Sequence, residues 1–134
     1  MMSGIRHKDT RPELTLRRAL HAAGIRYRLH VRSLPGQPDL VLPKYSAVCL
    51  VHGCYWHRHA DCLYATTPAT RPEFWKEKFR SNVERDRRQQ RQLREMGWRV
   101  AVVWECALKR NKADVVAGCL IEWLHGGAPT AVVG

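Results

Sequence analysis

Residues 38–62, PDLVLPKYSAVCLVHGCYWHRHADC, contain two apolar runs followed by a loop crowded with cysteine, histidine and aromatic residues. The runs 39–42 and 46–52 are short and partly β-branched, which is typical of buried strands. Antiparallel pairing about the intervening turn would make the paired residue numbers sum to about 89–91. Asp39 would then lie opposite the end of the second run, near His52. Asp is also common in turns, so Asp39 is either a turn residue or part of a site.

The loop that follows the second strand contains three metal-ligand residue types within a short stretch, Cys54, His59 and Cys62. Two thiols and an imidazole suit tetrahedral zinc, which needs a fourth ligand from elsewhere in the chain. Cys106 is the best candidate, because it follows another buried-strand pattern whose end could bring it to the loop. His57 could replace His59, since spacing alone does not separate them.

Composition and charge narrow the class of protein. The 134 residues carry a formal net charge of +11, from 23 Lys and Arg against 12 Asp and Glu, which favours nucleic acid as a partner over a membrane. The absence of a signal-peptide pattern and of a long apolar run leads us to expect a cytoplasmic protein. Its five cysteines are then expected to be thiols or metal ligands. Cys49 and Cys119 lie in strand and helix patterns and are expected to be buried.

The remaining patterns alternate between helix and strand. We expect helices at 10–23, 72–96 and 113–124, a half-buried edge strand at 27–31, a buried strand at 99–104 and a basic turn at 107–111. This order predicts a small α/β sandwich in a single domain, 10–125. Residues 1–9 are expected to form a flexible basic segment, and residues 126–134 a C-terminal tail.

Two carboxylates stand out in the predicted helices. Glu13 completes a capping box with Thr10, or alternatively points along the apolar helix face into a site. Asp86 projects from the middle of the apolar face of the helix at 72–96. A buried carboxylate needs a partner, so we expect a histidine, an arginine, a metal-bound water or a simple buried salt bridge beside Asp86.

Tyr55 and Trp56, in the cysteine-rich loop, are either core residues or aromatics that wedge between bases.

Six blocks of the sequence, in order, resemble the Vsr (very short patch repair) DNA mismatch endonucleases. The blocks are KDTRPE (8–13), LPGQPD (34–39), VHGCYWH (51–57), TRPEFW (70–75), NVERDR (82–87) and GWRVAVVWEC (97–106). The resemblance implies a restriction-endonuclease-like three-layer sandwich with a central mixed sheet, stabilised by zinc. It also implies an enzyme that nicks double-stranded DNA 5′ to the T of a T:G mismatch left by deamination of 5-methylcytosine.

The same resemblance implies roles for individual residues. Asp39 and the backbone carbonyl of Val51 match the Mg²⁺ ligands, and His57 matches the water-activating histidine, with Asp86 as its partner. His52 and Glu13 match further active-site contacts. The implied structural zinc ligands are Cys54, His59, Cys62 and Cys106, and the implied aromatic wedges are Tyr55, Trp56 and Trp75. A nucleoid-associated bacterial monomer that acts with a MutL-type repair protein is expected on the same basis.

Two other functions fit parts of the sequence. One is a related nuclease without mismatch preference, and the other is a zinc-stabilised DNA-binding module without catalysis. The joint presence of Asp39, His57 and Asp86 argues against the second, since DNA binding alone requires none of them.

Overall fold

A mixed β-sheet with helices on both faces forms the protein. The computed structural model describes residues 11–29, 31–55, 57–59, 62, 65–66 and 68–134. The helices are α1 (Arg11–Ala22), α2 (Pro72–Glu95), α3 (Glu105–Arg110) and α4 (Ala113–His125). The strands are β1 (Arg28–Leu29), β2 (Leu40–Leu42), β3 (Ala47–His52), β4 (Arg99–Trp104) and β5 (Thr130–Val133). Within these ranges the strand order is β1-β2-β3-β4-β5, antiparallel from β1 to β3 and parallel from β3 to β5.

The predicted hairpin is confirmed as the pairing of β2 with β3. Each of its three residue pairs has numbers that sum to 89, as in Leu40 with Cys49. A 3₁₀ turn, Pro43–Tyr45, joins the strands, and Ser46 closes it in the left-handed conformation with φ 51°. The register brings Asp39 to the far end of β3, where its Oδ2 accepts the backbone N–H of Val51 at 2.7 Å.

Side chains alternate between two cores along the central strands, as the two-residue period of a strand requires. On one face, Cys49 of β3 packs with Leu16 of α1 and Leu120 of α4. On the opposite face, Val48 of β3 packs with Leu93 of α2. Helices therefore cover both faces of the sheet, which confirms the predicted α/β sandwich with a central mixed sheet.

Helix α2 presents the predicted face to the sheet. Phe79, Asp86 and Leu93, spaced seven residues apart and therefore on one side of the helix, are its buried residues. Asp86 is 8% exposed, which confirms that this carboxylate points inward. No helix in the described part of the chain combines the length and the apolar character needed to cross a bilayer.

The fold differs from the sequence-based expectations in three places. The basic turn expected at 107–111 is instead mostly helical, since α3 covers Glu105–Arg110. Part of the expected tail at 126–134 is strand β5, which pairs in parallel with β4 and completes the sheet. Of the edge strand expected at 27–31, Arg28–Leu29 form β1 and His30 lies outside the described residues; both residues of β1 are exposed rather than half-buried.

Arg99 ties the C-terminal segment to the sheet. Its guanidinium donates to the carbonyl oxygens of Trp123, Leu124, Gly126 and Ala128 at 2.6–3.1 Å. It also lies over the Trp123 ring, 4.5 Å from the centroid. The first three of these carbonyls belong to the last turn and the C-cap of α4, so the guanidinium acts as a side-chain cap for that helix end.

We expect Arg99→Met to lower the free energy of unfolding by about 2–4 kcal/mol, because several charge-assisted hydrogen bonds are lost together. Urea denaturation measures the change. Arg94→Met, at an exposed position near the end of α2, is the matched control. Equal stability of the two variants would contradict this role of Arg99.

Candidate active site and metal centre

A cleft of about 370 Å³ opens where the start of β2 meets the end of β3 and the middle of α2. Its ionisable lining consists of two carboxylates, two imidazoles and two guanidinium groups, from Asp39, Asp86, His52, His57, Arg32 and Arg85. Carboxylates and imidazoles are the side chains that hold cations and transfer protons. The cleft therefore contains the groups needed for hydrolytic chemistry, and arginines that can attract an anion.

Asp39 shares its end of the cleft with Glu13 of α1. The Glu13 side chain is 1% exposed, is hydrogen-bonded to Asp39, and accepts a bond from Nη1 of Arg17 at 2.9 Å. Burial, and then the neighbouring Glu13, raise the pKa of Asp39 from 3.8 to about 8. Of the two interpretations of Glu13, the structure supports the one that points into the site, whereas its capping partner Thr10 lies outside the described residues.

Asp86 and two histidines form the other side of the cleft. His57 Nδ1 lies 2.5 Å from Asp86 Oδ2, so the buried carboxylate has the histidine partner that the sequence allowed for. The ring of His52 stacks on that of His57, with centroids 3.9 Å apart and planes 5° apart. Burial, and then His57, lower the pKa of His52 to about 3, so His52 is a neutral imidazole at neutral pH.

We expect Glu13→Gln to lower the pKa of Asp39 towards its ordinary value, because the neighbouring carboxyl raises it while burial remains. In the folded wild type Asp39 keeps its proton up to about pH 8, whereas the unfolded chain loses it near pH 4. The contribution of Asp39 to the free energy of unfolding therefore falls as pH rises between these values. In Glu13→Gln, the decrease in this contribution to the free energy of unfolding should be complete at a lower pH.

Carboxyl ¹³C NMR titration in magnesium-free buffer measures the Asp39 pKa directly. Glu73→Gln, at an exposed position in the first turn of α2, is the control and should leave it unchanged. Titration of wild-type Asp39 near pH 4 would contradict the carboxyl pair.

A second cluster lies beyond the end of the sheet and contains Cys54, His59, Cys62 and Cys106. One ligand atom from each lies within 4.8 Å of all the others. The His59 backbone N–H donates to Cys54 O at 3.1 Å, which folds the loop, and His59 Nδ1 lies 3.3 Å from Cys106 Sγ. Burial is the main cause of a raised pKa of about 12 for Cys54, so without a cation its thiol keeps the proton.

This cluster has the chemistry of a tetrahedral metal centre. Zn–S bonds of about 2.3 Å place the sulfurs of a tetrahedron roughly 3.8 Å apart, which is compatible with the observed spread. His57 belongs to the other group, with His52 and Asp86, so the structure distinguishes the two histidines that sequence spacing did not distinguish.

The remaining cysteines lie outside the cluster. Cys49 is buried as expected, but Cys119 is exposed on α4, so the expectation that it is buried was wrong.

Aromatic side chains pack together between the cysteine-rich loop and α2. Tyr55 meets Phe79 edge to face at 5.3 Å between centroids, and Trp75 stacks on Phe79 at 5.7 Å. Both Tyr55 and Trp75 stay half-buried, and the neighbouring Phe74 is 50% exposed. Trp56 lies outside the described residues. The structure thus places Tyr55 and Trp75 on one aromatic patch.

Sequence reasoning missed two residues that organise this region. The Arg58 guanidinium lies 4.1 Å from the Phe79 centroid and donates to the carbonyl oxygens of Tyr55, Ala65 and Thr66. Trp104 contacts the rings of both His52 and His59. The sequence did offer a signal for each residue. Arg58 lies inside an aromatic loop, and Trp104 comes shortly before a candidate metal-ligand cysteine.

A cleft with buried carboxylates and an Asp–His pair, in a strongly basic α/β chain, is typical of a nuclease. Residues 1–63 match the family model for DNA mismatch endonuclease Vsr. The chain is 44% identical over 135 residues to DNA mismatch endonuclease Vsr of Escherichia coli, covering 98% of this chain and 86% of that protein. The chain belongs to the Vsr family of DNA mismatch endonucleases.

Two further relatives are nicking enzymes. The type II nicking enzyme V.XorIIP of Xanthomonas oryzae is 46% identical over 108 residues, covering 81% of this chain and 79% of the relative. The type II nicking enzyme V.NmeAIP of Neisseria meningitidis is 42% identical over 113 residues, covering 84% of this chain and 79% of the relative. Of these three similarities, the one to the Escherichia coli protein covers nearly the whole chain.

Proposed function

We propose that this protein is a magnesium-dependent endonuclease that nicks double-stranded DNA 5′ to the T of a T:G mismatch. Its place in repair would be the very short patch pathway that follows deamination of 5-methylcytosine. The observation that carries the proposal is the meeting of Asp39 with the His57–Asp86 pair in one cleft of a Vsr-family chain. The proposal includes a restriction-endonuclease-like fold, which a mixed sheet covered by helices on both faces supports.

Asp39 and the backbone carbonyl of Val51 would hold Mg²⁺. Their oxygens are the hard ligands that Mg²⁺ prefers, and the 2.7 Å bond from Val51 N–H to Asp39 keeps the carboxyl beside the main chain of β3. Because Asp39 has a raised pKa, cation binding there would displace a proton. Bound Mg²⁺ supplies Lewis acidity to the scissile phosphodiester. Glu13 would orient Asp39 and the water around the ion.

His57 would act as the general base. Asp86 accepts a hydrogen bond from Nδ1–H, which leaves the Nε2 lone pair free to take a proton from the attacking water. The buried carboxylate also stabilises the imidazolium that forms. His52, stacked on His57 and neutral, restricts the plane of the catalytic ring without adding a competing charge.

Cys54, His59, Cys62 and Cys106 would bind a structural zinc ion. Four protein ligands leave no open coordination position, so this centre would stabilise the fold rather than activate water. It would join the cysteine-rich loop to the start of α3, and so hold His57 in the cleft.

The aromatic patch would face the DNA. Tyr55, Trp56 and Trp75 would wedge into the stack beside the mismatch, and Phe79 packs against Tyr55 and Trp75. Unstacking costs a few kcal/mol per step, and less at a mispaired base, so insertion itself favours a mismatch. The net charge of +11 supplies the sequence-independent attraction to phosphates. We propose a monomeric, cytoplasmic enzyme of the bacterial nucleoid, assisted by a MutL-type repair protein.

The decisive experiment compares strand-labelled duplexes with one T:G pair or one T:A pair in the same methylase-type sequence, with Mg²⁺. We expect cleavage of the T strand alone, directly 5′ of the T, and only in the mismatched duplex. Equal cleavage of both duplexes would replace the proposal with a nuclease without mismatch preference. Binding without cleavage would replace it with a DNA-binding module.

We expect Asp39→Asn to reduce nicking by about 10³-fold or more, since loss of the metal site removes several kcal/mol of transition-state stabilisation. Duplex affinity should stay within a few-fold of wild type. Asp114→Asn, an exposed position on α4, controls for the change of charge. Asp39→Asn that nicks at the wild-type rate would remove the proposed magnesium site.

We expect Cys106→Ser to lose the zinc ion and to lower the thermal midpoint of unfolding, because the remaining three ligands bind zinc more weakly. Metal analysis of the purified protein measures the stoichiometry. Cys119→Ser, an exposed cysteine outside the cluster, should retain one zinc per chain. Retention of zinc by Cys106→Ser would show that another residue supplies the fourth ligand.

A further inference from the structure

Four rings connect the metal cluster to the catalytic pair, and we call them the ring series: His59, Trp104, His52 and His57. His59 stacks on Trp104 with centroids 4.3 Å apart and planes 9° apart. Trp104 meets His52 edge to face at 5.3 Å, and His52 stacks on His57 at 3.9 Å. The series ends on hydrogen-bonding groups, with His59 against Cys106 at one end and His57 against Asp86 at the other.

Strand register explains why Trp104 occupies the middle of this series. β3 and β4 are parallel neighbours in which His52 pairs directly with Trp104, so both side chains leave the same face of the sheet. The chain then turns into α3, which returns Cys106 to the cluster only two residues later. Trp104 therefore lies between the last residue of β3 and the metal-binding loop.

We propose that Trp104 is a positioning residue that transmits the rigidity of the metal centre to the catalytic imidazole. The proposal rests on the function proposed above for His57. A metal-bound His59 presents a fixed flat surface to the indole of Trp104. The indole in turn restrains His52, and the stacked His52 ring restrains the plane of His57.

The restraint matters because a hydrogen bond alone does not fix a ring. The bond to Asp86 holds Nδ1 of His57 but leaves the imidazole able to rock about that contact. Stacking on His52 limits this rocking, provided that His52 is itself held. His57 is on a loop, and its side chain is 23% exposed, so burial alone does not fix the orientation of its ring. Contact with the sheet through Trp104 and His52 supplies this additional restraint.

A packing role for Trp104 makes a different prediction from a positioning role. If Trp104 only fills space, Leu and Phe should replace it equally well once stability is taken into account. If it positions the rings, a flat aromatic ring is needed to stack on His59 and meet His52. The two substitutions therefore separate the roles, and Trp98→Leu, at another tryptophan packed on the same side of the sheet, is the matched control.

Single-turnover nicking of the T:G duplex tests the catalytic consequence. We expect Trp104→Leu to lower the single-turnover rate constant by roughly 10–100-fold, because small misplacements of a catalytic group cost about that much. Duplex affinity and zinc content should remain at wild-type values, and Trp104→Phe should recover most of the rate. Equal rates for Trp104→Leu and wild type would overturn the proposal. Equal losses of rate in Trp104→Leu and Trp104→Phe, explained by a loss of zinc or of stability, would also overturn it.

Histidine NMR tests the ring series without DNA or Mg²⁺, so its outcome stands even where wild-type protein fails to nick. With the imidazole resonances assigned, we expect Trp104→Leu to shift or broaden the signals of His57, because His52 contacts both rings. Trp104→Phe and Trp98→Leu should leave those signals close to wild type. His57 signals unchanged in Trp104→Leu would overturn the transmission that the proposal requires.

Discussion

Parallel pairing of β3 with β4 is the constraint on which the site depends. Two parallel strands that follow each other in the sequence need a crossover, because the chain must return along the whole length of the sheet. Here the crossover runs from Gly53 to Trp98 and includes both the cysteine-rich loop and α2. The loop must begin where β3 ends, and α2 must travel back across the sheet. The candidate metal ligands and the inward-facing Asp86 therefore lie at the same end of the strands.

Burial and the neighbouring Glu13 make ionisation of Asp39 costly in the cleft. Glu13 and Asp39 lie together in a buried region, and the raised pKa of Asp39 reports that both cannot cheaply carry charge there. A DNA phosphate would add a further negative charge. Arg17 compensates Glu13 from the helix side, and Arg32 and Arg85 line the cleft, where they can attract that phosphate. A divalent cation, which the endonuclease family implies, would reduce the repulsion at Asp39, and the basic surface would attract the polyanion.

Sequence patterns predicted the elements that neighbouring residues along the chain determine. The β2–β3 hairpin was predicted from its two-residue period and short turn. Asp86 was predicted to be buried because a long helix keeps its period over many turns. β5 was missed because Thr130–Val133 is short and exposed at Val132, and it exists through pairing with β4, which no local pattern reports. The ring series was missed for the same reason. His52 and Trp104 are far apart in sequence, and the register of β3 against β4 brings them together.

One loop serves both clusters, and its backbone explains how. His57 points to Asp86 and His59 to the cysteines, although only Arg58 separates them. Arg58 has a φ of 52°, in the left-handed region that is uncommon for a residue with a side chain. Its guanidinium, held on Phe79 and by three carbonyl oxygens, offsets that strain. The reversal at Arg58 lets neighbouring histidines face different clusters.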